Sequence, residues 1–169
     1  KTGVTPFEVI GGNDSYGNVW SDSNLDNAIE YNWIDISGLG TQLVFSHNDV
    51  AADPIEMEFD FSFYGENYDQ LIVNPNGWIG FGEDNTAWSN TSLPSISAPK
   101  PAIFGFWDDL NPVSTEPSGC PEGIGNVFYH SFDDLFVVWF DHVIRCTSNP
   151  EYSGEFDFQF VLHYNGDID

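Results

Sequence analysis

The stretch YDQLIVNPNGWIGFG (residues 68–82) places two apolar runs on either side of an Asn-Pro-Asn-Gly segment. Asparagine and glycine accept the positive φ values of tight hairpin turns, so Asn76 and Gly77 predict a turn between two antiparallel strands. Pro75 lacks a backbone N–H and therefore suits the end of a strand. Four apolar side chains around the turn are predicted to face a core: Leu71, Val73, Ile79 and Phe81. The segment thus predicts a scaffold hairpin rather than the rim of a reactive site.

Strict alternation of apolar and polar residues indicates two further strands, in PIEMEFDFSF (54–63) and EFDFQFVLHY (155–164). Successive side chains of a strand point to opposite faces, so alternation predicts one face in the core and one in water. The predicted buried faces carry Ile55, Met57, Phe59, Phe61 and Phe63 in the first strand, and Phe156, Phe158, Phe160, Leu162 and Tyr164 in the second. Acidic side chains dominate both outer faces.

Glycine, proline, asparagine or aspartate stands in nearly every gap between the apolar segments, which is the composition of turns. The other predicted strands span 29–36, 42–46, 69–74, 77–82, 102–107, 125–130 and 135–144. About nine short strands with long loops predict an all-β fold, an antiparallel two-sheet β-sandwich of jelly-roll-like form. A closed barrel is the alternative.

Two parts of the chain are predicted. Residues 1–28 form an N-terminal arm with an acidic loop, and residues 29–169 form the sandwich domain. Asn165 and Gly166 predict a last hairpin turn, yet only Asp-Ile-Asp follows them. The chain is therefore expected to be a piece of a longer protein.

Acidic residues dominate the charge: 27 Asp and Glu stand against three Lys and Arg, for a net charge of −24. Nucleic acids and anionic membranes need cations to neutralise their phosphates, so neither is expected as a partner. No apolar run approaches the roughly 20 residues that span a bilayer, so membrane insertion is not expected. Self-repulsion of this size destabilises a compact state unless cations relieve it, which favours an extracellular setting with calcium or salt.

Calcium is the best-supported chemistry, because it prefers carboxylate, amide and carbonyl oxygens gathered on loops. Two polar loops offer them, NDSYGNVWSDSNLD (13–26) and WDDLN (107–111). The predicted ligands are Asp14, Asp22, Asn24, Asp26, Asp108 and Asp109. The alternative is that these short polar side chains form local turns and caps with their own backbone.

Six tryptophans are spread along the chain. Trp20, Trp78 and Trp88 lie on or near predicted loops and could form a stacking platform for sugars. The other three, Trp33, Trp107 and Trp139, lie in apolar strand contexts and are predicted to be core. Core or edge packing is the alternative for the first three as well.

Enzyme signatures are incomplete. The chain has no Gly-x-Ser-x-Gly, no His-Glu-x-x-His and no phosphate-binding glycine loop. EFDFQF (155–160) is similar to the Glu-x-Asp-x-x-Glu strand of some sandwich-fold glucanases, but Phe160 occupies the place of the third acid. We therefore expect no catalytic residues, with a glycosidase as the alternative.

Cys120 and Cys146 are the two cysteines, and we predict a disulfide between them. Such a bond would stabilise the fold by roughly 3 kcal/mol through the entropy of the unfolded chain. Disulfides persist outside the cell, which agrees with a secreted protein. Free thiols are the alternative.

The order of these pieces has a family resemblance. FDFSFYGENYDQLIVNPNGWIGFG, SLPSISAPKPAIFGFWDDLNP, VFYHSFDDLFVVWFDHV and FQFVLHYNGDI together resemble an accessory β-sandwich domain of secreted bacterial peptidases and surface proteins. They are distantly similar to the nidogen-type (NIDO) extracellular domain. Asn-Pro-Asn-Gly departs from the usual Ser- or Thr-Asn-Gly, and the cysteine-bearing insertion is individual to this chain. The resemblance implies a secreted or cell-surface module without catalytic residues.

The expected function is a non-catalytic extracellular binding or adhesion module of a larger protein, with calcium as a possible stabiliser. Expected partners are a polysaccharide, a surface protein or neighbouring domains of the same chain. Two alternatives remain open: a structural subunit that self-assembles by strand addition, and an accessory domain of a secreted peptidase.

Overall fold

The computed structural model describes residues 10–11, 13–23, 29–83, 86–113, 120, 122–149, 151 and 154–169. The chain divides into two compact units, Lys1–Ile34 and Asp35–Asp169. In the first unit, two short strands pair antiparallel, with Ile10 opposite Ser21 and Gly11 opposite Trp20.

The described residues form strands and turns without a helix. The strands are β1 (Ile10–Gly11), β2 (Trp20–Ser21), β3 (Thr41–Gln42), β4 (Ile55–Phe63), β5 (Glu66–Asn74), β6 (Trp78–Gly80), β7 (Ala102–Phe104), β8 (Leu110–Asn111), β9 (Asn126–Ser131), β10 (Leu135–Arg145) and β11 (Glu155–His163). No segment within these described ranges is a helix with the length and apolarity to cross a membrane.

The second unit is a β-sandwich of two antiparallel sheets, as predicted. One sheet has the strand order β4-β5-β6-β7, and the other has the order β11-β10-β9-β3 with β8 also paired to β10. Apolar side chains from both sheets form one core, including Phe61 and Val73 from the first and Phe140 and Leu162 from the second. Each sheet therefore hides one face against the other.

The alternation predicted for 54–63 is confirmed along β4. Ile55, Met57, Phe59 and Phe61 are buried, whereas the polar residues between them are exposed. The pattern is less strict along β11, where Val161 is buried beside its neighbours on both sides.

The hairpin predicted at Asn76 and Gly77 is also confirmed. A three-residue turn (75–77) joins β5 to β6, with Asn74 opposite Trp78 in the register. Gly77 has a φ of 78° and donates its N–H to the Asn74 carbonyl at 3.2 Å. This left-handed residue closes a three-residue hairpin, a position that favours glycine.

The hairpin turn predicted at the end of the chain is present too. Gly166 has a φ of 93°, and Asp169 exchanges two backbone hydrogen bonds with Val161 on β11, at 2.9 and 3.0 Å. The residues after the turn thus fold back along the end of β11.

The strand predicted at 29–36 is not formed, and the strand predicted at 42–46 is reduced to Thr41–Gln42. Ile29, Tyr31 and Trp33 are exposed, so the assignment of Trp33 to the core was wrong. Alternation describes the side chains but not whether a neighbouring backbone pairs with the segment, and a strand requires both.

Candidate functional site

Buried asparagines join the 75–77 turn to two other segments. Asn74 Oδ1 accepts the backbone N–H of Asn76 at 2.9 Å. Asn76 Nδ2 donates to the backbone carbonyl of Asn48 at 3.0 Å, and Asn76 Oδ1 accepts the backbone N–H of Leu110 at 2.9 Å. Buried polar groups are costly unless they are hydrogen-bonded, so this network fixes where the loop before β4 and the start of β8 meet.

The segment before β8 lies directly on the turn. The backbone N–H groups of Phe106 and Asp108 donate to the carbonyls of Gly77 and Asn76, both at 3.2 Å. A Cβ on Gly77 would overlap the carbonyl oxygen of Phe106, so the close approach also requires glycine. The contact places Asp108 and Asp109, two of the predicted calcium ligands, beside the loop before β4.

Three carboxylates gather at this junction. The pKa of Asp109 is raised to about 6, chiefly because burial disfavours the charged form and then because of the charges of Asp49 and Asp108. Arg145 Nη2 lies 2.5 Å from Asp108 Oδ2, and His47 Nδ1 lies 3.7 Å from Asp49 Oδ2. Within the described residues, no basic side chain forms an ion pair with Asp109.

The predicted disulfide between Cys120 and Cys146 is present, with their Cα atoms 4.9 Å apart. It borders the carboxylates: the Cys146 backbone N–H donates to the Asp109 carbonyl at 2.8 Å. One Asp109 carboxylate oxygen and the two sulfurs lie within 4.8 Å of one another. Both sulfurs are joined in the disulfide, so neither is a thiolate. The disulfide borders one side of the carboxylate cluster.

Asn48 and Asp49 were not among the predicted site residues. Asn48 is 2% exposed and donates from Nδ2 to Cys120 Sγ at 3.4 Å. Oδ1 of Asn48 and Oδ1 of Asp49 are both buried without a hydrogen-bond partner. The sequence signal is the Asn-Asp pair at 48–49, a pair that is common in turns and therefore does not by itself indicate a site.

The other predicted calcium ligands lie in the first unit or outside the described residues. Asp14 Oδ1 accepts the backbone N–H groups of Tyr16, Gly17 and Asn18 at 2.7–2.9 Å. This is the local turn that the sequence left open as an alternative. Asp22 is partly buried, and Asn24 and Asp26 lie outside the described residues.

The predicted tryptophan platform needs a correction. Trp78 is fully buried and donates from Nε1 to the Ala87 carbonyl at 2.8 Å, so it offers no face to a sugar. Trp78 is the first residue of β6, directly after the turn, so it lies in the sheet rather than in a loop. Trp20 and Trp88 are exposed and could stack on a ligand, but they belong to different units.

A groove of about 470 Å³ lies where the turn between β4 and β5 meets the loop before β7. Its lining is mainly apolar and includes Phe63, Tyr64, Tyr68, Leu93 and Phe104. Tyr64 packs edge-on to Phe63 with the ring centroids 4.7 Å apart. The aromatic residues of FYGENY (63–68) were visible in the sequence, but only the fold places them opposite Leu93 and its proline-rich loop.

Comparison with known families gives a match. The model of the family described as NIDO related matches residues 25–129, more than half of the chain. The chain belongs to the NIDO-related family. The matched region holds the 75–77 turn, the groove and the loops that carry Asn48 and Asp109. NIDO-related domains are typically extracellular, which agrees with the expected location. No curated protein and no solved structure matches the chain.

Beyond the NIDO-related match, β10 and β11 together carry a cluster of a histidine and two carboxylates at the surface. His142 Nδ1 lies 2.5 Å from Asp141 Oδ1 and 3.4 Å from Asp157 Oδ1. The hydrogen bond to Asp141, followed by the charge of Asp157, raises the pKa of His142. His142 has a φ of 51° and lies at the register shift between Phe140 and Val143. The cluster is therefore formed by the bulge of the strand.

The two acidic strand faces of this NIDO-related domain lie on different sheets. Glu56, Glu58 and Asp60 are exposed on β4, whose partner is β5, and Glu155 and Asp157 are exposed on β11, whose partner is β10. Like charges directly opposite each other on paired strands are destabilising, and the two faces do not oppose each other. Asp157 does lie close to Asp141 on the paired strand β10, where His142 contacts both carboxylates.

Proposed function

We propose that the chain is a non-catalytic extracellular binding module of a larger secreted or cell-surface protein, stabilised by calcium. It recognises a polypeptide segment of a surface protein through the groove between Tyr64 and Leu93. The groove carries the proposal, because it is a shallow, mainly apolar surface, bordered by Glu66 and Lys100, on an otherwise strongly acidic molecule.

The lining of the groove favours a polypeptide. Tyr64 and Leu93 each expose about half of their surface, 53% and 54%. Pro94, Pro99 and Pro101 also border the groove. Grooves lined by aromatic residues accept extended, proline-containing or apolar peptide segments, and clustered exposed apolar residues mark interaction sites.

Charge complementarity indicates the composition of the partner. With a net charge of −24, the chain attracts basic segments and repels acidic ones. We therefore propose a segment with apolar residues for the groove and Lys or Arg on either side of them.

Two observations support a non-catalytic role. The chain belongs to the NIDO-related family, whose domains are typically extracellular and non-enzymatic. The strand that is similar to a glucanase strand carries Glu155 and Asp157 but has Phe160 in the place of the third acid, so the set of carboxylates is incomplete.

Selection from a phage-displayed random peptide library tests the binding proposal. Selected peptides should combine apolar or proline residues with Lys or Arg. Tyr64→Asn tolerates the φ of 51° at this position, and both it and Leu93→Ser should weaken binding of the selected peptides at least about tenfold. Tyr164→Asn is the matched control, because Tyr164 is 65% exposed and is not part of the groove lining.

Two results would contradict this proposal. Selected peptides that bind Tyr64→Asn as tightly as the unchanged protein would exclude the groove. Binding to a polysaccharide on a glycan array, lost in Tyr64→Asn, would keep the groove but replace the polypeptide partner by a sugar.

Self-assembly by strand addition is the second candidate. β11 is the terminal strand of its sheet, and terminal strands can pair with another chain. The exposed Glu155 and Asp157 oppose this pairing, because charged residues on an edge strand repel an identical edge. Concentration-dependent assembly in sedimentation velocity would favour it over the binding module. A role as an accessory domain of a peptidase would be compatible with either function.

A further inference from the structure

Two side-chain oxygens in the loop before β4 are buried without a hydrogen-bond partner, Asn48 Oδ1 and Asp49 Oδ1. Asn48 is 2% exposed, and its other polar atoms are used: Nδ2 donates to Cys120 Sγ, and its carbonyl accepts from Asn76 Nδ2. Folded proteins rarely leave such acceptors unsatisfied, so a missing donor or cation is the expected explanation.

A carboxylate lies at the same place. Asp109 has a carboxylate oxygen within 4.8 Å of Cys120 Sγ, the sulfur that Asn48 Nδ2 contacts at 3.4 Å. Asp49 follows Asn48 in the chain, and Asp108 precedes Asp109. The unpartnered oxygens of Asn48 and Asp49 therefore belong to the neighbourhood of Asp109, and the two observations are independent of each other.

The local charge is not balanced by the protein. Of the three carboxylates, Asp108 pairs with Arg145, and Asp49 lies 3.7 Å from a histidine nitrogen of His47. Asp109 is partly buried and has no such partner among the described residues. Like charges in a partly buried place repel strongly unless a cation or a proton intervenes.

We propose that Asn48, Asp49 and Asp109 bind a calcium ion beside the Cys120–Cys146 disulfide. Asp108, which forms an ion pair with Arg145, adds a further negative charge beside the ion. This assignment rests on the calcium part of the proposed function and gives that part a location.

The donor set selects the metal. Carboxylate and carboxamide oxygens are hard ligands, and the only nearby sulfurs within the described residues are joined in the disulfide. Two loops contribute the ligands, the one before β4 and the one before β8, an irregular arrangement that suits the variable geometry of calcium better than the strict octahedron of magnesium.

The fold keeps this site in place without the ion. Asn76 binds the Asn48 carbonyl on one side and the Leu110 N–H on the other, and the Cys146 N–H binds the Asp109 carbonyl. These bonds hold the backbone of both ligand segments, so an ion needs to order only side chains. We expect an affinity typical of extracellular modules, with a Kd of about 10⁻⁴–10⁻³ M.

Thermal unfolding and calorimetric titration with calcium alone test the assignment, at fixed ionic strength. The unchanged protein should melt higher in 10 mM calcium than in EDTA, and higher than in 10 mM magnesium, by an amount that grows with calcium concentration. Magnesium and ionic strength serve as controls for general screening of the acidic surface.

Asp109→Asn gives the sharpest comparison, because its effect on the melting temperature should differ between EDTA and calcium. In EDTA this variant should melt no lower than the unchanged protein, since it removes a repelled carboxylate. In calcium it should lose the response and bind at least about tenfold more weakly, since calcium affinity follows the number of ligand charges. A residue with only a structural role would lower the melting temperature in both conditions.

Two further variants separate coordination from general charge. Asn48→Leu has a similar shape and no charge change, and it should also weaken calcium binding, because it removes a ligand oxygen. Asp60→Asn is the matched control: it removes one carboxylate from the exposed face of β4 and should keep the full calcium response.

The outcomes distinguish the two proposals. A calcium response retained by both Asp109→Asn and Asn48→Leu would overturn this site but leave calcium stabilisation intact. A response of the unchanged protein that magnesium reproduces would overturn the site and the calcium part of the function together. Neither result would change the test of the groove, which uses peptide binding.

Discussion

The side chain of Asn76 accepts a hydrogen bond from the backbone N–H of Leu110 at 2.9 Å, across the interior from one sheet to the other. Asn76 follows β5 of the four-stranded sheet, and Leu110 begins β8 of the five-stranded sheet. The bond therefore ties the two layers together at the same end of the sandwich as the proposed calcium site.

We predict that Asn76→Ala destabilises the domain by about 1–3 kcal/mol, because it leaves the buried Asn48 carbonyl without its partner. It also removes one of the two acceptors of the Leu110 N–H, which keeps its bond to the Asp108 carbonyl at 2.8 Å. Urea unfolding measures the loss. Asn90→Ala is the control: it removes an exposed hydrogen bond to the Trp107 carbonyl and should cost under about 1 kcal/mol. Equal effects of the two variants would contradict the role given to Asn76.

Gly77→Ala should cost more than about 3 kcal/mol, since it combines a positive φ with an overlap between its Cβ and the Phe106 carbonyl oxygen. Gly38→Ala has open space around its Cβ and should change the free energy of unfolding by less than about 1 kcal/mol. Gly17→Ala separates the two causes, because it has a positive φ of 108° and open space, and should cost about 1–2 kcal/mol. Denaturant unfolding of the three variants provides the comparison.

Stability should depend on pH through His142. Its pKa is raised by the hydrogen bond to Asp141, then by the charges of Asp157, Asp141 and Glu155, against a smaller opposing effect of burial. Because the pKa is raised in the folded state, protonated His142 stabilises the fold. This stabilisation is complete below the unfolded pKa of about 6.5 and is lost as the pH rises through the folded pKa. The melting temperature should therefore fall as the pH is raised above about 6.5.

His142→Asn tests this dependence, because asparagine tolerates the φ of 51° but does not titrate. The variant should show a flatter melting profile over the same pH range, as should Asp141→Asn, which removes the main cause of the shift. High salt should also flatten the profile of the unchanged protein, since His142 is 61% exposed. An unchanged slope in His142→Asn would exclude this histidine as the titrating group.

Replacement of Cys120 and Cys146 together by serine should lower the free energy of unfolding by about 3.5 kcal/mol, from the entropy of closing a loop with a sequence separation of 26. It should also weaken the calcium response, because Asn48 loses the sulfur contact that orients its carboxamide. Reduction of the unchanged protein should reproduce both effects. Loss of stability with a full calcium response would separate the disulfide from the metal site.

Much of the sandwich was predictable because its main strands obey local rules. The alternation of 54–63 predicts the buried face of β4, and Asn-Pro-Asn-Gly predicts the turn at Gly77. The segment 29–36 obeys the same alternation and forms no strand. Pairing depends on a distant backbone, and that information is not contained in the periodicity of one segment.

The candidate sites were less predictable, since each joins segments that are far apart in the sequence. The sequence predicts Asp108 and Asp109 as ligands, but nothing in it connects them with Asn48 and Asp49, which the hydrogen bond from Asn76 to the Asn48 carbonyl brings to the same end of the sandwich. Trp78 was misjudged because a residue next to a turn can still point into the core. The partners of a side chain decide its role, and those partners come from the fold.

β8 and β9 lie end to end along the same edge of β10, with Asn111 opposite Ile144 and Asn126 opposite Asp141. They are two halves of one interrupted strand: the chain leaves the sheet after Asn111 and rejoins it at Asn126, on the same side of β10. The length of that excursion is consequently independent of the strand register. Relatives could change its length, or an engineer could insert a reporter domain beside Cys120, while the hydrogen-bond ladder of β10 and the bond from Cys120 to Cys146 stay intact.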